Sequence, residues 1–293
     1  ETMIADYDNA LEEWSMISAL IPENKFLQNS WDGLLLSTQT DSLIFRSNKD
    51  EARYLASLRT ESNAWLNALP SKFVGTFLDN NTFRISTALR FGCDICVKHI
   101  CVCGDIVSPD GTHGLSCLKS LGRLPCHIEL NTILQQGLQS AVVPSKREPE
   151  GLFRDDGKRV DGITLVPWSR GQMLAWDATC SDTLAPSYIR YSSSQSGSVA
   201  ENATKNKHDK YKKLLEQNYI ILAFAVETLG PWAKEAITFI DKLGKMIFNA
   251  TGEKNAKKYL KQRISLAIQR SNAIRVMGTF NSSESMKEIF YIL

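Results

Sequence analysis

Six of the seven cysteines in this 293-residue chain fall between Cys93 and Cys126, and only Cys180 lies beyond them. Within that stretch Cys101-Val102-Cys103-Gly104 is followed by Thr112-His113 and then Cys117, which brings three thiolates and one imidazole into 17 residues. This is a donor set that suits tetrahedral zinc. A segment so short cannot order itself by apolar burial, so a metal ion would supply folding free energy directly. With all four positions filled by protein, its role is structural. Gly104, Gly111 and Gly114 are expected to turn the backbone tightly around the ion. Cys96 is an alternative to Cys101, because one residue between Cys101 and Cys103 is tighter than the usual spacing. The competing reading is a group of reduced, buried cysteines with His113 as a hydrogen-bonded loop residue.

The apolar share of 43% suits a globular protein, and 34 basic against 32 acidic side chains leave a net charge of only +2. The overall field therefore gives no argument for nucleic acid, and any polyanion site must be local. No uninterrupted apolar run is long enough to span a bilayer, and the stretch Glu1 to Met16 is acidic and amphipathic, unlike a secretory signal. A soluble intracellular protein with no membrane partner is expected, in which clustered cysteines favour metal over disulfides. The chain begins without methionine inside a helical pattern, and so reads as a piece of something longer.

Leu55, Leu58, Trp65 and Leu69 recur at helical spacing until Pro70, which predicts an amphipathic helix over residues 51–69. A second helix is expected after the turn Asp79 to Asn81, closing at Gly92, and a third from His127 to Leu138. Two paired strands are predicted around Val160 to Val166 and Met173 to Thr179. A lysine-rich helix follows from Glu201 to Gln217, then a buried strand from Tyr219 to Val226. Two amphipathic helices close the chain, Pro231 to Asn249 with proline at its first position and Asn255 to Met277.

The paired strands carry the chemistry. Asp161 begins the first and Asp177 lies within the second, so antiparallel pairing would bring them together. Alternation assigns Asp177 to the face of Met173, Ala175 and Thr179, an apolar setting that penalises a carboxylate unless a cation neutralises it. Phosphodiester hydrolysis uses such a cation to stabilise phosphoryl charge and acidify a bound water. Magnesium, which prefers one or two carboxylates and several waters, suits two aspartates on neighbouring strands. A lysine would assist. Thr179 occupies the position where many nucleases of this kind carry it, but Ala203, Lys207, Lys210 and Leu214 form one helical stripe that sets both lysines among apolar residues. The bland alternatives are aspartates satisfied by Lys158 and Arg159, and a solvated lysine face. Lys254, Lys258 and Lys261 form another stripe, read first as a solvated face and second as a phosphate-tracking one.

In order and register these motifs resemble those of non-long-terminal-repeat retrotransposon proteins that carry a restriction-enzyme-like endonuclease after the reverse transcriptase. The family motifs are a Cys-Cys-His-Cys knuckle, an Arg-His helix start, a Pro-Asp, a second Asp and a Lys-x-x-Lys-Tyr helix. They correspond to Cys101, Cys103, His113 and Cys117, to His127, to Asp161, to Asp177, and to Lys207, Lys210 and Tyr211. The resemblance covers about Ala68 to Phe280 and includes GTHGLSC, DGKRVDGITLVPWSRGQMLAWDAT and VETLGPW. Val160 replaces the family's proline, giving up a fixed backbone angle before Asp161. Cys126 replaces its arginine, giving up a cation for phosphate.

The resemblance implies an α/β chain of mixed α+β type with a restriction-endonuclease-like core, a mixed sheet flanked by helices. Residues 1–90 would be a helical linker after a polymerase domain missing from this chain, 91–126 the zinc knuckle, 127–280 the endonuclease domain and 281–293 a tail. Catalysis would fall to Asp161, Asp177, Lys207 and Lys210, with magnesium on the two aspartates and structural zinc in the knuckle. Arg159, His127 and Tyr211 are the expected nucleic-acid contacts, with Arg84 and Arg90 as further candidates. Target DNA, the element's RNA and a covalently linked reverse transcriptase would be the partners, and the nucleus the place of action. A binding module with a weak or dead site is the alternative, and a purely structural fragment the third reading.

Overall fold

A computed structural model of the chain describes residues 2–17, 24, 26–119, 123–149 and 159–280. Lys158 and the expected tail 281–293 lie outside the described residues. The chain divides into two compact units at Arg46/Ser47, so residues 47–90, expected in a linker, belong to the same unit as the cysteine segment and the main sheet. The first unit holds helices α1 (Thr2–Ile17) and α2 (Gln28–Asp41), whose Trp14 and Trp31 rings meet edge to face at 5.2 Å.

The second unit is an α+β assembly around a four-stranded mixed sheet. Its order is β3 (Ser145–Arg147), β4 (Gly162–Thr164), β5 (Leu174–Ser181), β6 (Ile220–Glu227). β3, β4 and β5 pair antiparallel, whereas β5 and β6 run parallel. A parallel pair needs a crossover, and α7 (Ile189–Ser192), α8 (Ser198–Lys210) and α9 (Lys212–Glu216) provide it. On one face Leu174, Trp176 and Ala178 of β5 and Leu222, Phe224 and Val226 of β6 join α6 (Arg123–Ser140) and α10 (Lys234–Thr251) in the main core. On the other, Ala175 and Ile221 meet Tyr211 and Leu214 from the crossover. Both strands are covered on both sides, which explains their nearly continuous apolar sequence.

Helix α11 (Ala256–Met277) is the spine of the unit, touching α4 (Asn80–Phe91), α5 (His113–Ser116), α6, α10 and the 3-10 turn Ala64–Asn67. Expected to be amphipathic, it is instead buried on nearly every side from Ile264 onward. Its polar residues are tolerated there because they serve main-chain groups of its neighbours. Gln262 Nε2 donates to Asn67 O at 2.7 Å, Asn272 Nδ2 to Thr228 O at 2.6 Å, and Arg275 Nη1 to Leu115 O at 3.2 Å.

Several boundaries depart from the sequence pattern for local reasons. The helix expected over 51–69 stops after α3 (Asn48–Ser57), where Asn63 Nδ2 caps Ser57 O at 2.8 Å. Thr60, Ser62 and Asn63 are residues whose side chains compete for backbone partners. The lysine helix breaks at Tyr211, whose φ of −106° leaves the helical range. α10 starts after Pro231 rather than at it, because residues 231–233 fold back along β6, with Ala233 N donating to Ala225 O at 3.0 Å. Asp79 and Gly92 do bound α4, the first as a side-chain cap and the second at φ 71°. Among the described residues no helix is long and apolar enough to cross a membrane.

Glu227, the last residue of β6, is fully buried, and its Oε1 accepts from Val199 N (3.0 Å) and Ala200 N (3.1 Å). It thereby caps the N-terminus of α8 from another element. Oε2 has no partner among the described residues, and burial pushes the carboxyl up to about 7 despite the two amides. Because the folded pKa lies above the unfolded one, stability present at acidic pH is lost as pH rises through about 7. Glu227→Gln keeps the acceptor and removes the buried charge. The variant is expected to gain up to about 3 kcal/mol over the parent at pH 8 and little at pH 4, measured by urea denaturation at both values. An equal effect at both pH values would refute the assignment.

Candidate functional site

The cysteine segment folds as a hairpin and a helical turn. β1 (His99–Ile100) pairs with β2 (Ile106–Val107), and the link carries Cys101 and Cys103 in a tight turn, with Cys101 N on Asp105 O at 2.8 Å and Gly104 N on Cys101 O at 2.8 Å. Gly104 has φ 98° and Gly111 φ 63°, as turning residues there must. Gly114 serves another purpose, since a Cβ on it would sit 2.7 Å from Arg275 O and prevent α5 from lying on α11. His113 and Cys117 lie four apart at the two ends of α5 and so share a face.

Donor atoms of Cys101, Cys103, His113 and Cys117 all lie within 4.8 Å of one another. Cys101 Sγ and Cys117 Sγ are 3.8 Å apart, and Cys103 Sγ and His113 Nε2 3.3 Å. Tetrahedral bonds of about 2.3 Å to sulfur and 2.0 Å to nitrogen require edges of about 3.8 and 3.5 Å, so this set fits one zinc-sized ion. Cys96 is buried beside them but turns to Ser108 O and Pro109 O at 3.8 and 3.7 Å, and burial pushes its thiol up to about 11. It stands outside the donor group, which removes it as a substitute for Cys101.

The second site forms where the β4–β5 ladder ends. Gly162 opposite Trp176 is the last pair, and beyond it Ala178 N donates at 2.7 Å to Asp161 Oδ2. That oxygen also accepts from Asn131 Nδ2 at 3.1 Å and lies 2.9 Å from His127 Nε2. His127 and Asn131 are four apart on α6 and present one face to the carboxylate. Asn131 is fixed in turn by Trp176 Nε1, which donates to its Oδ1 at 2.9 Å. Trp176 can lie there only because residue 162 is glycine, since a Cβ would approach the indole to 2.1 Å.

Asp177 lies one residue past that pair and is only 2% exposed. Lys207 Nζ meets its Oδ1 at 2.5 Å, while Lys210 Nζ (3.1 Å) and Tyr211 Oη (2.6 Å) meet its Oδ2. Burial pushes the Asp177 carboxyl up, but Lys207 first, then Tyr211 and Lys210, outweigh it and hold the group below the usual carboxylate range. The hydrogen bond to Asp161 raises the His127 imidazole above its ordinary value against burial. His127, Asp161 and Asp177 each offer an atom within 4.8 Å of the other two.

The 4.8 Å limit is slightly wider than the span of about 4.2 Å that one magnesium-sized ion bridges, so a shared cation draws the three groups together, with three qualifications of chemistry. Asp161 Oδ1 accepts no hydrogen bond among the described residues, so that oxygen is available. A hard ion on Asp177 has to displace a lysine ammonium, and both Nζ groups sit on flexible stems with 22% and 24% side-chain exposure. His127 can ligate only after losing its proton.

The sequence-predicted residues therefore meet at two places, with differences in role. Tyr211, expected to touch nucleic acid, is 1% exposed, and its hydroxyl is spent on Asp177 and on Arg159 O at 3.0 Å. A side chain so enclosed does not reach a ligand, and its work is to hold Asp177. His127, also expected as a nucleic-acid contact, stands in the carboxylate cluster instead. Arg159 pairs with Glu148. Arg90 Nη2 donates to Asn63 Oδ1 at 2.6 Å, a structural partner. Asn131 is a site residue that sequence reasoning does not single out, and its only signal there is its four-residue offset from His127. No protein-family model matches this chain, and no curated protein matches it in sequence.

Removing the Tyr211 hydroxyl should take away the one donor hydrogen that Asp177 Oδ2 and Arg159 O share, leaving Lys210 Nζ on that carboxylate oxygen. Tyr211→Phe is expected to cost about 1–3 kcal/mol in urea denaturation. A loss below about 0.3 kcal/mol would mean that the hydroxyl does not hold Asp177.

Proposed function

We propose that this chain is the C-terminal part of a non-long-terminal-repeat retrotransposon protein, in which a structural zinc knuckle adjoins a metal-dependent DNA endonuclease domain with a restriction-endonuclease-like core. The reading rests above all on one observation: Asp161 just before β4, Asp177 on the adjacent β5, and Lys207 and Lys210 on α8 are in one contact cluster. The nuclease would nick target DNA in the nucleus so that the freed 3′ end primes reverse transcription of the element's RNA by a linked polymerase.

Magnesium held by Asp161 and Asp177 would stabilise charge on the phosphoryl oxygens and acidify a water. The protein's own groups supply the rest. Lys207 and Lys210 carry two positive charges at the Asp177 carboxylate, where an incoming phosphate would exchange for it as their partner. His127, whose imidazole Asp161 raises above its ordinary value, would serve as a proton donor beside the same carboxylates. The Trp176–Asn131 contact fixes Asp161, and Tyr211 fixes Asp177, so neither carboxylate needs to reorganise when substrate binds.

A binding module without cleavage is the second reading, and one observation favours it: Lys207, Lys210 and Tyr211 already neutralise Asp177 without a metal. Relaxation of supercoiled plasmid separates the two. On the nuclease reading the purified chain nicks with magnesium, Asp161→Ala and Asp177→Ala abolish nicking, and Lys207→Ala slows it by about 10²- to 10³-fold. DNA binding that survives both aspartate changes with no cutting by the parent would select the binding module.

The knuckle gives an independent test. One zinc per chain is expected by elemental analysis, and His113→Ala or Cys103→Ser should release it and lower the melting temperature. Zinc-free protein of unchanged stability would return the cysteines to the reading of a reduced, buried cluster.

A further inference from the structure

We propose that the groove between residues 60–76 and the first two turns of α11 binds single-stranded nucleic acid. This goes beyond the cleavage site and rests on the nuclease reading only in taking nucleic acid as the ligand class. Two adjoining hollows, each of about 480 Å³, share Gln262 as a common wall. Lys254, Lys257, Lys258 and Lys261 line the first, facing Ala64 and Asn67, with no acidic residue among its walls. Lys257 pairs with Asp241 at 2.7 Å, whereas Lys254, Lys258 and Lys261 have no ion-pair partner among the described residues. A solvated helix face mixes charges of both signs and is convex. This surface is concave and of one sign.

The second hollow is apolar, walled by Leu69, Val74 and Tyr259, which are 82%, 72% and 46% exposed. Phe73 beside it is fully exposed, and the Lys72 ammonium lies 5.2 Å over the Phe77 ring. These residues are held in place. Arg270 Nη2 donates to Gly75 O at 2.5 Å and Phe77 O at 3.1 Å, and Gln262, 6% exposed, binds Asn67 O. Both hollows therefore share one buried, hydrogen-bonded wall residue, Gln262.

Unpaired lysines beside exposed rings and an apolar hollow suit one ligand chemistry: a phosphodiester backbone whose bases are free to stack. A duplex offers the phosphates but keeps its base faces stacked inside. An acidic peptide or polyphosphate leaves the ring surface unused. The groove is distinct from the carboxylate cluster. α6 and α11 run antiparallel, with Gly137 against Leu260 and Cys126 beside Ser271, and none of the residues that wall the two hollows belongs to the carboxylate cluster.

The test is fluorescence anisotropy of the full chain with short labelled oligonucleotides in magnesium-free buffer. Single strands of DNA and RNA should both bind, more tightly than a duplex of the same sequence, because phosphates and unstacked bases are what the lysines and the apolar hollow take up. The triple change Lys254→Ala, Lys258→Ala and Lys261→Ala should weaken single-strand binding by about tenfold or more and make the log–log salt slope about 2 units shallower. Tyr259→Ala should weaken single strands about tenfold and leave duplex binding unchanged. Changing Lys205, Lys212 and Lys245 to alanine removes the same charge elsewhere and should alter binding by less than about twofold. The proposal is overturned if the groove variant binds like the parent, if the control triple loses as much, or if Tyr259→Ala has no effect and duplex binds equally well. Asp161→Ala and Asp177→Ala should leave this binding intact, so failure of the cleavage reading and failure of the groove are separately visible.

Discussion

A carboxylate enclosed in the middle of a parallel strand pair has to be neutralised, and Asp177 sets the arrangement of everything near it. Its neighbours on β5 and β6 are apolar and buried, so polar side chains from other elements must meet the charge. Lys207, Lys210 and Tyr211 come to it from the crossover between the two strands. Helix α8 of that crossover is itself anchored at its N-terminus by Glu227 of β6. The break between α8 and α9 falls at Tyr211, the residue whose hydroxyl meets Asp177. Lysine, tyrosine and aspartate thus form one unit, in which removing one partner leaves the others buried and short of a contact.

Asp161 is held by a different route, and the difference matters chemically. Its ties run through the end of the sheet ladder and through Asn131, which Trp176 fixes in turn, with Gly162 making room for the indole. One oxygen takes all of these ties, and the other takes none among the described residues. A rigid carboxylate with an open oxygen therefore stands beside a rigid carboxylate paired with two exchangeable ammoniums. Such a pair can accept a cation on one side and an anion on the other, which is what phosphodiester chemistry demands of a site.

The long buried helix α11 connects this site to the remaining features. One end supports the cysteine hairpin through Gly114 and Arg275, and the other supports the lysine groove through Gln262. Because its polar side chains serve the main chain of several neighbours, these parts are tied to one element.

The sequence alone determined the chemistry that is local. The Cys-x-Cys and His-x₃-Cys spacings assembled the thiolate and imidazole donors, because a tight turn and one helical turn leave those side chains few other directions. Strand alternation assigned Asp177 to the face of Ala175, and the stripe through Ala203, Lys207, Lys210 and Leu214 turned both lysines inward. What only the tertiary structure decided were contacts between elements far apart in the chain. These include Asn131 on Asp161, Tyr211 enclosed instead of presented to a ligand, α11 buried on nearly all sides, and residues 60–76 forming a groove with α11. Periodicity reports which face of an element avoids water, but not what meets that face. The partners of a buried polar group are chosen only when all the elements close around it.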